Sequence, residues 1–145
     1  VIFRKMIALA SSALALAMTA PAGPAQADST TPFHVKNQNY TGRTLAETKG
    51  SMIWHNRSVT LDPVLVRAVD HGAEVLYAGY NASCSRVDGE IRQIDGDQNG
   101  AWHEVAPIGL SYDQVGGIRY VKISITTEAG TVHHNFWRPG FSTCG

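Results

Sequence analysis

The sequence predicts an all-β protein, a single antiparallel β-sandwich of immunoglobulin-like or similar type with one disulfide, and three observations carry that prediction. From Ser51 onward, apolar side chains recur with a period of two rather than 3.6. Turn-forming pairs punctuate the chain at short intervals: Asp70-His-Gly72, Asp88-Gly89, Asp95-Gly96, Asn99-Gly100 and Gly116-Gly117. No stretch of useful length carries the apolar stripe of an amphipathic helix. Short strands at this spacing are the pattern of a sandwich.

The N-terminal 27 residues read as a cleavable signal peptide. Arg4 and Lys5 form a positive start, Met6 to Ala20 is uncharged and rich in Ala, Leu and Met, and Pro21 to Ala27 ends in the small-x-small pattern Ala25-Gln26-Ala27. The apolar run of 15 residues is shorter than the ~20 that a spanning helix needs. The expected product is secreted and extracellular, with no membrane anchor. Arg4 and Lys5 are the only charges in this segment, so residues 28–145 carry ten basic against twelve acidic residues, a formal charge of −2. Without a basic stripe or a charge run, nucleic acid and anionic membrane find no electrostatic attraction here.

Residues 28–50 are polar and turn-rich, with one apolar patch at Phe33 and Val35. They read as a lead-in with at most one edge strand, which places the sandwich domain at 51–145. Within Ser58 to Val69, Val59 and Leu61 share one phase, and Val64, Val66 and Ala68 the other. Proline cannot donate to a ladder, so a bulge or edge position at Pro63 accounts for the switch. Ala73 to Tyr80 is a second strand, and Ile91 and Ile94 mark a weaker third. The clearest strand is Ile118 to Thr127, where Val121, Ile123 and Ile125 alternate with Lys122, Ser124 and Thr126. Glu128-Ala-Gly130 then turns the chain into Thr131 to Trp137, forming a hairpin.

Cys84 and Cys144 are the only cysteines. In an oxidising compartment they pair with each other, closing a loop worth ~4 kcal/mol by the chain-entropy estimate. The bond also pins a segment that otherwise frays.

The phrases MIWHNRSV (residues 52–59) and GGIRYVKISI (residues 116–125) resemble small secreted actinomycete β-sandwich proteins, a group of unknown function. There the first phrase opens the domain and the second forms a late strand. The resemblance implies the fold and the compartment, and it assigns no catalytic or ligand residue.

Several constellations suggest chemistry. Asp95-Gly-Asp97-Gln-Asn99-Gly100 matches the first half of a calcium loop, whose oxygen ligands alternate around a glycine bend. The position of the closing bidentate Glu holds Ala106, so calcium is an expectation for Asp95, Asp97 and Asn99 only as a weak site, and the same residues serve a polar hairpin loop equally well. His133 and His134 are adjacent on a strand and point to opposite faces, so they cannot clamp one ion. A zinc site would have to be assembled from distant residues such as His55, His103 and His133. His103-Glu104 beside Trp102 offers an acid/base pair, yet no nucleophile motif or phosphate-binding glycine loop accompanies it. Each of Trp54, Trp102 and Trp137 lies beside or near histidine. If two of these indoles share an exposed face, they form an amphipathic platform for a sugar or a protein.

The reading that follows is a secreted non-catalytic protein that binds an extracellular protein or polysaccharide, an inhibitor of a secreted enzyme being one version. A small secreted hydrolase and a structural envelope or spore-associated protein are the alternatives.

Overall fold

The computed structural model describes residues 28–145, so the expected signal peptide at 1–27 lies outside the described residues. Nine strands follow in order: β1 (Ser29–Gln38), β2 (Thr44–Trp54), β3 (Ser58–Ala68), β4 (Ala73–Tyr80), β5 (Arg86–Ile94), β6 (His103–Val105), β7 (Ile108–Ser111), β8 (Tyr120–Thr127) and β9 (Gly130–Trp137). They form two antiparallel sheets, and no helix occurs among the described residues. The first sheet runs β1-β2-β3, with β6 and β7 both paired to the far side of β3; the second runs β5-β4-β8-β9.

Residues 28–50 do hold an edge strand, β1, but they are part of the sandwich rather than a lead-in to it. Ser29 pairs with Trp54, and the ladder continues to Gln38 opposite Thr44, so β1 and the first half of β2 belong to the sandwich. Polarity hides this because only every second residue faces inward. Phe33, Val35 and Asn37 are buried on β1, and Ala46 and Thr48 on β2, while their neighbours His34 and Lys36 face solvent.

The Pro63 phase switch is a bulge. Gly50 pairs with Val64 and Met52 with Leu61, so Asp62 and Pro63 together oppose Ser51. Both phases thereby reach one face, and Val59, Leu61, Val64, Val66 and Ala68 are all buried. The bulge also explains Gly50, since a Cβ there would lie 1.9 Å from the Pro63 carbonyl oxygen. The expected β8–β9 hairpin forms, with Thr127 opposite Gly130 and Tyr120 opposite Trp137. At three and four residues, β6 and β7 are too short to show a period, although Ile108 and Leu110 complete the core.

Polar side chains tie the sheets together through this core. Asn37 Nδ2 donates to the Ile125 and Gly130 carbonyls at 2.9 Å each, and its Oδ1 accepts from Thr127 Oγ1 at 3.1 Å. Mid-core, the Tyr77 and Thr48 hydroxyls meet at 2.7 Å. Burial pushes the Tyr77 phenol up to about 12, against the opposing hydrogen bond to Thr48.

Cys84 and Cys144 form the disulfide, with Cα atoms 5.6 Å apart. It joins the β4–β5 loop to the segment after β9, and Gly145 N donates to Ala82 O alongside it. It therefore staples one end of the second sheet, whereas the antibody-domain bond crosses the core between sheets.

Replacing Asn37 by Ala leaves two carbonyls and a hydroxyl without their partner. It should lower unfolding stability by about 2 kcal/mol, with an unchanged denaturant slope in urea melts.

Candidate binding site

The three tryptophans do not share a face. Trp54 points into the core and is 2% exposed. Trp102 lies on the outer surface of the first sheet, against His34, Lys49 and Arg67. Trp137 lies on the outer surface of the second sheet. The indoles are separated because alternation sends Trp54 inward, and the other two sit on opposite layers. His103 and Glu104 are also split: His103 pairs with buried Val66 and faces the core side, and Glu104 pairs with outward Leu65. They cannot act as one acid/base pair. His133 and His134 take opposite faces of β9, as alternation requires.

The Asp95–Asn99 segment is organised as a turn. Asp97 Oδ1 accepts the Asn99 amide at 2.9 Å, and the Asp97 carbonyl accepts from Gly100 at 2.9 Å. Among the described residues, no group of three or more His, Cys, Asp or Glu side chains converges as ion ligands. His55, His103 and His133 stand on the β2–β3 turn, β6 and β9 and are not brought together.

Trp102 covers the one fully buried carboxylate among the described residues. Glu47 faces outward, yet its side chain is 3% exposed. His34 Nε2 donates to its Oε2 at 2.5 Å, and Arg67 holds Oε1 through Nε and Nη2. The Trp102 ring lies 4.1 Å from Lys49 Nζ and 4.9 Å from the Arg67 guanidinium, a double cation–π contact. Burial alone raises the Glu47 carboxyl, but the hydrogen bonds from His34 and Arg67 and their charges outweigh it and hold the group below its ordinary value. With every partner engaged, this cluster fastens the segment before β6 onto the sheet.

The opposite arrangement occurs at the end of the sandwich where β8 begins and β9 stops. On the outer surface of the second sheet, Arg86, Tyr80, Tyr120 and Trp137 stand in one cross-strand row. The tyrosine rings stack at 4.7 Å and 7°, and Tyr120 meets Trp137 at 4.5 Å. Lys122 Nζ lies 5.8 Å from the Tyr80 ring. The neighbouring Arg119 and Arg138, joined by Arg138 N donating to Arg119 O at 2.9 Å, alternate to the other side and point into the mouth between the sheets. There they line an open cleft of about 370 Å³ with Trp54, His55, Asn56 and Phe141.

The two guanidiniums differ. Arg138 lies 5.0 Å from the Trp54 ring and donates to carbonyls of both sheets: Nε to Ile118 at 2.8 Å, Nη1 to His55 at 2.5 Å and Nη2 to Ser58 at 3.5 Å. Burial first, and the charge of Arg119 second, lower its pKa from the ordinary arginine value. The Arg119 guanidinium carbon lies over the Phe141 ring, 3.8 Å from its centre, and the buried Nε has no hydrogen-bond partner among the described residues. Neither guanidinium forms an ion pair with a carboxylate among those residues. His55 braces the rim, with Nδ1 3.0 Å from Asp28 Oδ2 and Nε2 3.1 Å from Thr60 Oγ1.

Sequence reasoning found Trp137 but not Tyr80, Tyr120, Arg119 or Arg138. The signal was present in the hairpin itself: pairing Thr127 with Gly130 sets Arg119-Tyr120 against Trp137-Arg138. Comparison with known protein families, with characterised proteins and with solved structures finds no match.

The Glu47 cluster has a pH signature. A carboxyl lowered in the folded state stabilises above its unfolded value, and that contribution is lost as pH falls through the folded one. Melts should therefore weaken progressively on acidification below about pH 4.5. Glu47→Gln should flatten that acid limb and cost about 2 kcal/mol at neutral pH, less than for a fully buried pair because Arg67 and His34 reach solvent.

Proposed function

We propose that this chain is a secreted, non-catalytic binding protein whose ligand is an extracellular polysaccharide, held at the end of the sandwich where the aromatic row adjoins the cleft. Secretion is supported by the N-terminal sequence pattern and by the disulfide. Among the described residues, no helix is long and apolar enough to cross a membrane.

The observation that carries the binding reading is the cleft itself. Its size falls within the ~300–1,000 Å³ of small-ligand sites, and its lining combines the Phe141 ring with hydrogen-bonding groups from His55, Asn56 and Arg119. A concave opening of that size accepts one ring-sized unit of a longer chain, and Tyr80 and Trp137 beside it offer half-buried aromatic surface for adjoining units. A stable protein partner would instead need ~800 Å² of complementary surface on each side, which favours the saccharide over a protein.

Affinity electrophoresis through gels containing soluble polysaccharides tests the proposal. Retardation by at least one polysaccharide is expected, weakened about tenfold by Trp137→Ala, with little change in melting temperature. Mobility unchanged in every gel, together with recovery of a protein partner from culture fluid, would overturn it. A hydrolase remains the second reading because Asp28, His55 and Thr60 align as carboxylate, imidazole and hydroxyl. Turnover of a simple ester that disappears in Thr60→Val would establish that reading instead.

A further inference from the structure

In the first sheet's outer cluster a buried carboxylate meets Arg67 and His34, whereas the two guanidiniums of the cleft have no carboxylate opposite them among the described residues. Arg119 and Arg138 are neighbours on paired strands, and both guanidiniums enter one opening. Like charges brought together in a partly dehydrated site repel, and no carboxylate among the described residues relieves them. Asp28 is engaged by His55 at the rim.

The donor inventory separates their roles. Arg138 spends its Nε and both terminal nitrogens on the Ile118, His55 and Ser58 carbonyls, so it holds the mouth of the sandwich. Arg119 makes no side-chain hydrogen bond among the described residues. Phe141 covers one face of its guanidinium at 3.8 Å, and with Nε buried, the unpartnered terminal nitrogens are the donors left for a ligand. A planar, oriented, unpaired guanidinium matches an oxyanion, which can accept two parallel N–H bonds from it.

We propose that the Arg119 cleft is an oxyanion site, and, resting on the polysaccharide reading above, that its natural occupant is the carboxylate or sulfate substituent of an acidic sugar. Arg119 takes the oxyanion through its two terminal nitrogens, and Arg138 adds long-range attraction without giving up its carbonyl partners. His55 and Asn56 line the space where the sugar hydroxyls lie. The preference is for anionic over neutral saccharides, and it weakens with added salt as charge pairing at a solvent-open site must.

The test is an NMR titration of the folded protein, following the Trp54 indole N–H and the arginine Nε–H signals. The probes are glucuronic acid oligosaccharide, the matched neutral glucose oligosaccharide, and sodium sulfate. The acidic oligosaccharide should shift the signals of Trp54 and Arg119 with saturation, bind at least tenfold more tightly than the neutral one, and weaken with sodium chloride. Arg119→Gln should remove that preference while keeping the melting temperature, since it breaks no side-chain hydrogen bond. Phe141→Ala should weaken acidic binding by loosening the Arg119 plane, and Lys36→Gln, an equal charge change on the exposed face of β1, should leave it unchanged. Equal binding of neutral and acidic oligosaccharides in wild type and Arg119→Gln would overturn the oxyanion site and leave the polysaccharide reading standing. Sulfate binding that Arg119→Gln abolishes, without binding of either oligosaccharide, would keep the site and overturn the polysaccharide reading. No response to any of the three overturns both.

Discussion

Two sheets that complete their own ladders have few backbone groups left for one another, so side chains must join them, and at the open end of this sandwich the task falls to Arg138. Its guanidinium reaches from β9's end across to carbonyls of the β2–β3 turn and back to Ile118, while its plane lies over Trp54. An apolar plug could fill the same space, but it could not satisfy those carbonyls, and buried unpaired carbonyls are costly. Asn37 performs the equivalent task at the other end, through Ile125 and Gly130. The difference is charge. Asn37 closes its end neutrally, whereas Arg138 leaves a positive field in the cleft it helps to form.

The segment after β9 turns that field into a site. From Arg138 the chain crosses the end of the second sheet, lays Phe141 on Arg119, and is fixed at Cys144 to Cys84 beside the Gly145–Ala82 hydrogen bond. The disulfide thus has two consequences from one bond. It removes entropy from the unfolded chain, and it holds a wall of the cleft that would otherwise fray. A pre-formed wall lowers the ordering cost of binding, which is why a segment with no regular structure can belong to a recognition surface.

How much of this was legible in the sequence depended on length and period. The β8–β9 hairpin was readable to within two residues at the strand ends because Val121, Ile123 and Ile125 alternate cleanly along β8. The disulfide followed from having two cysteines. β1 was legible only as an edge strand at Phe33 and Val35; its full length was not, because its inward positions include Asn37, a polar residue whose burial makes sense only once Ile125, Thr127 and Gly130 are seen around it. The indole platform dissolved for a related reason. Proximity to histidine in sequence says nothing about which layer a tryptophan occupies, and Trp54, Trp102 and Trp137 went to core, one face and the other. Arg119 and Arg138 looked like two ordinary surface charges until the hairpin register set them side by side. Their lack of acidic partners is a property of three-dimensional neighbourhood, and no local pattern encodes it.

The division of labour between these two arginines is what joins fold to function, and hydrogen exchange at their side chains measures it directly. In ¹⁵N-edited spectra near neutral pH, Arg138 Nε–H should exchange as slowly as the core amides of β3 and β8, because releasing it requires the sandwich mouth to open. It should keep that protection in Arg119→Gln. Exchange of Arg138 Nε–H at the rate of an exposed arginine such as Arg43, with the core amides still protected, would contradict the assignment of Arg138 as the tie between the sheets.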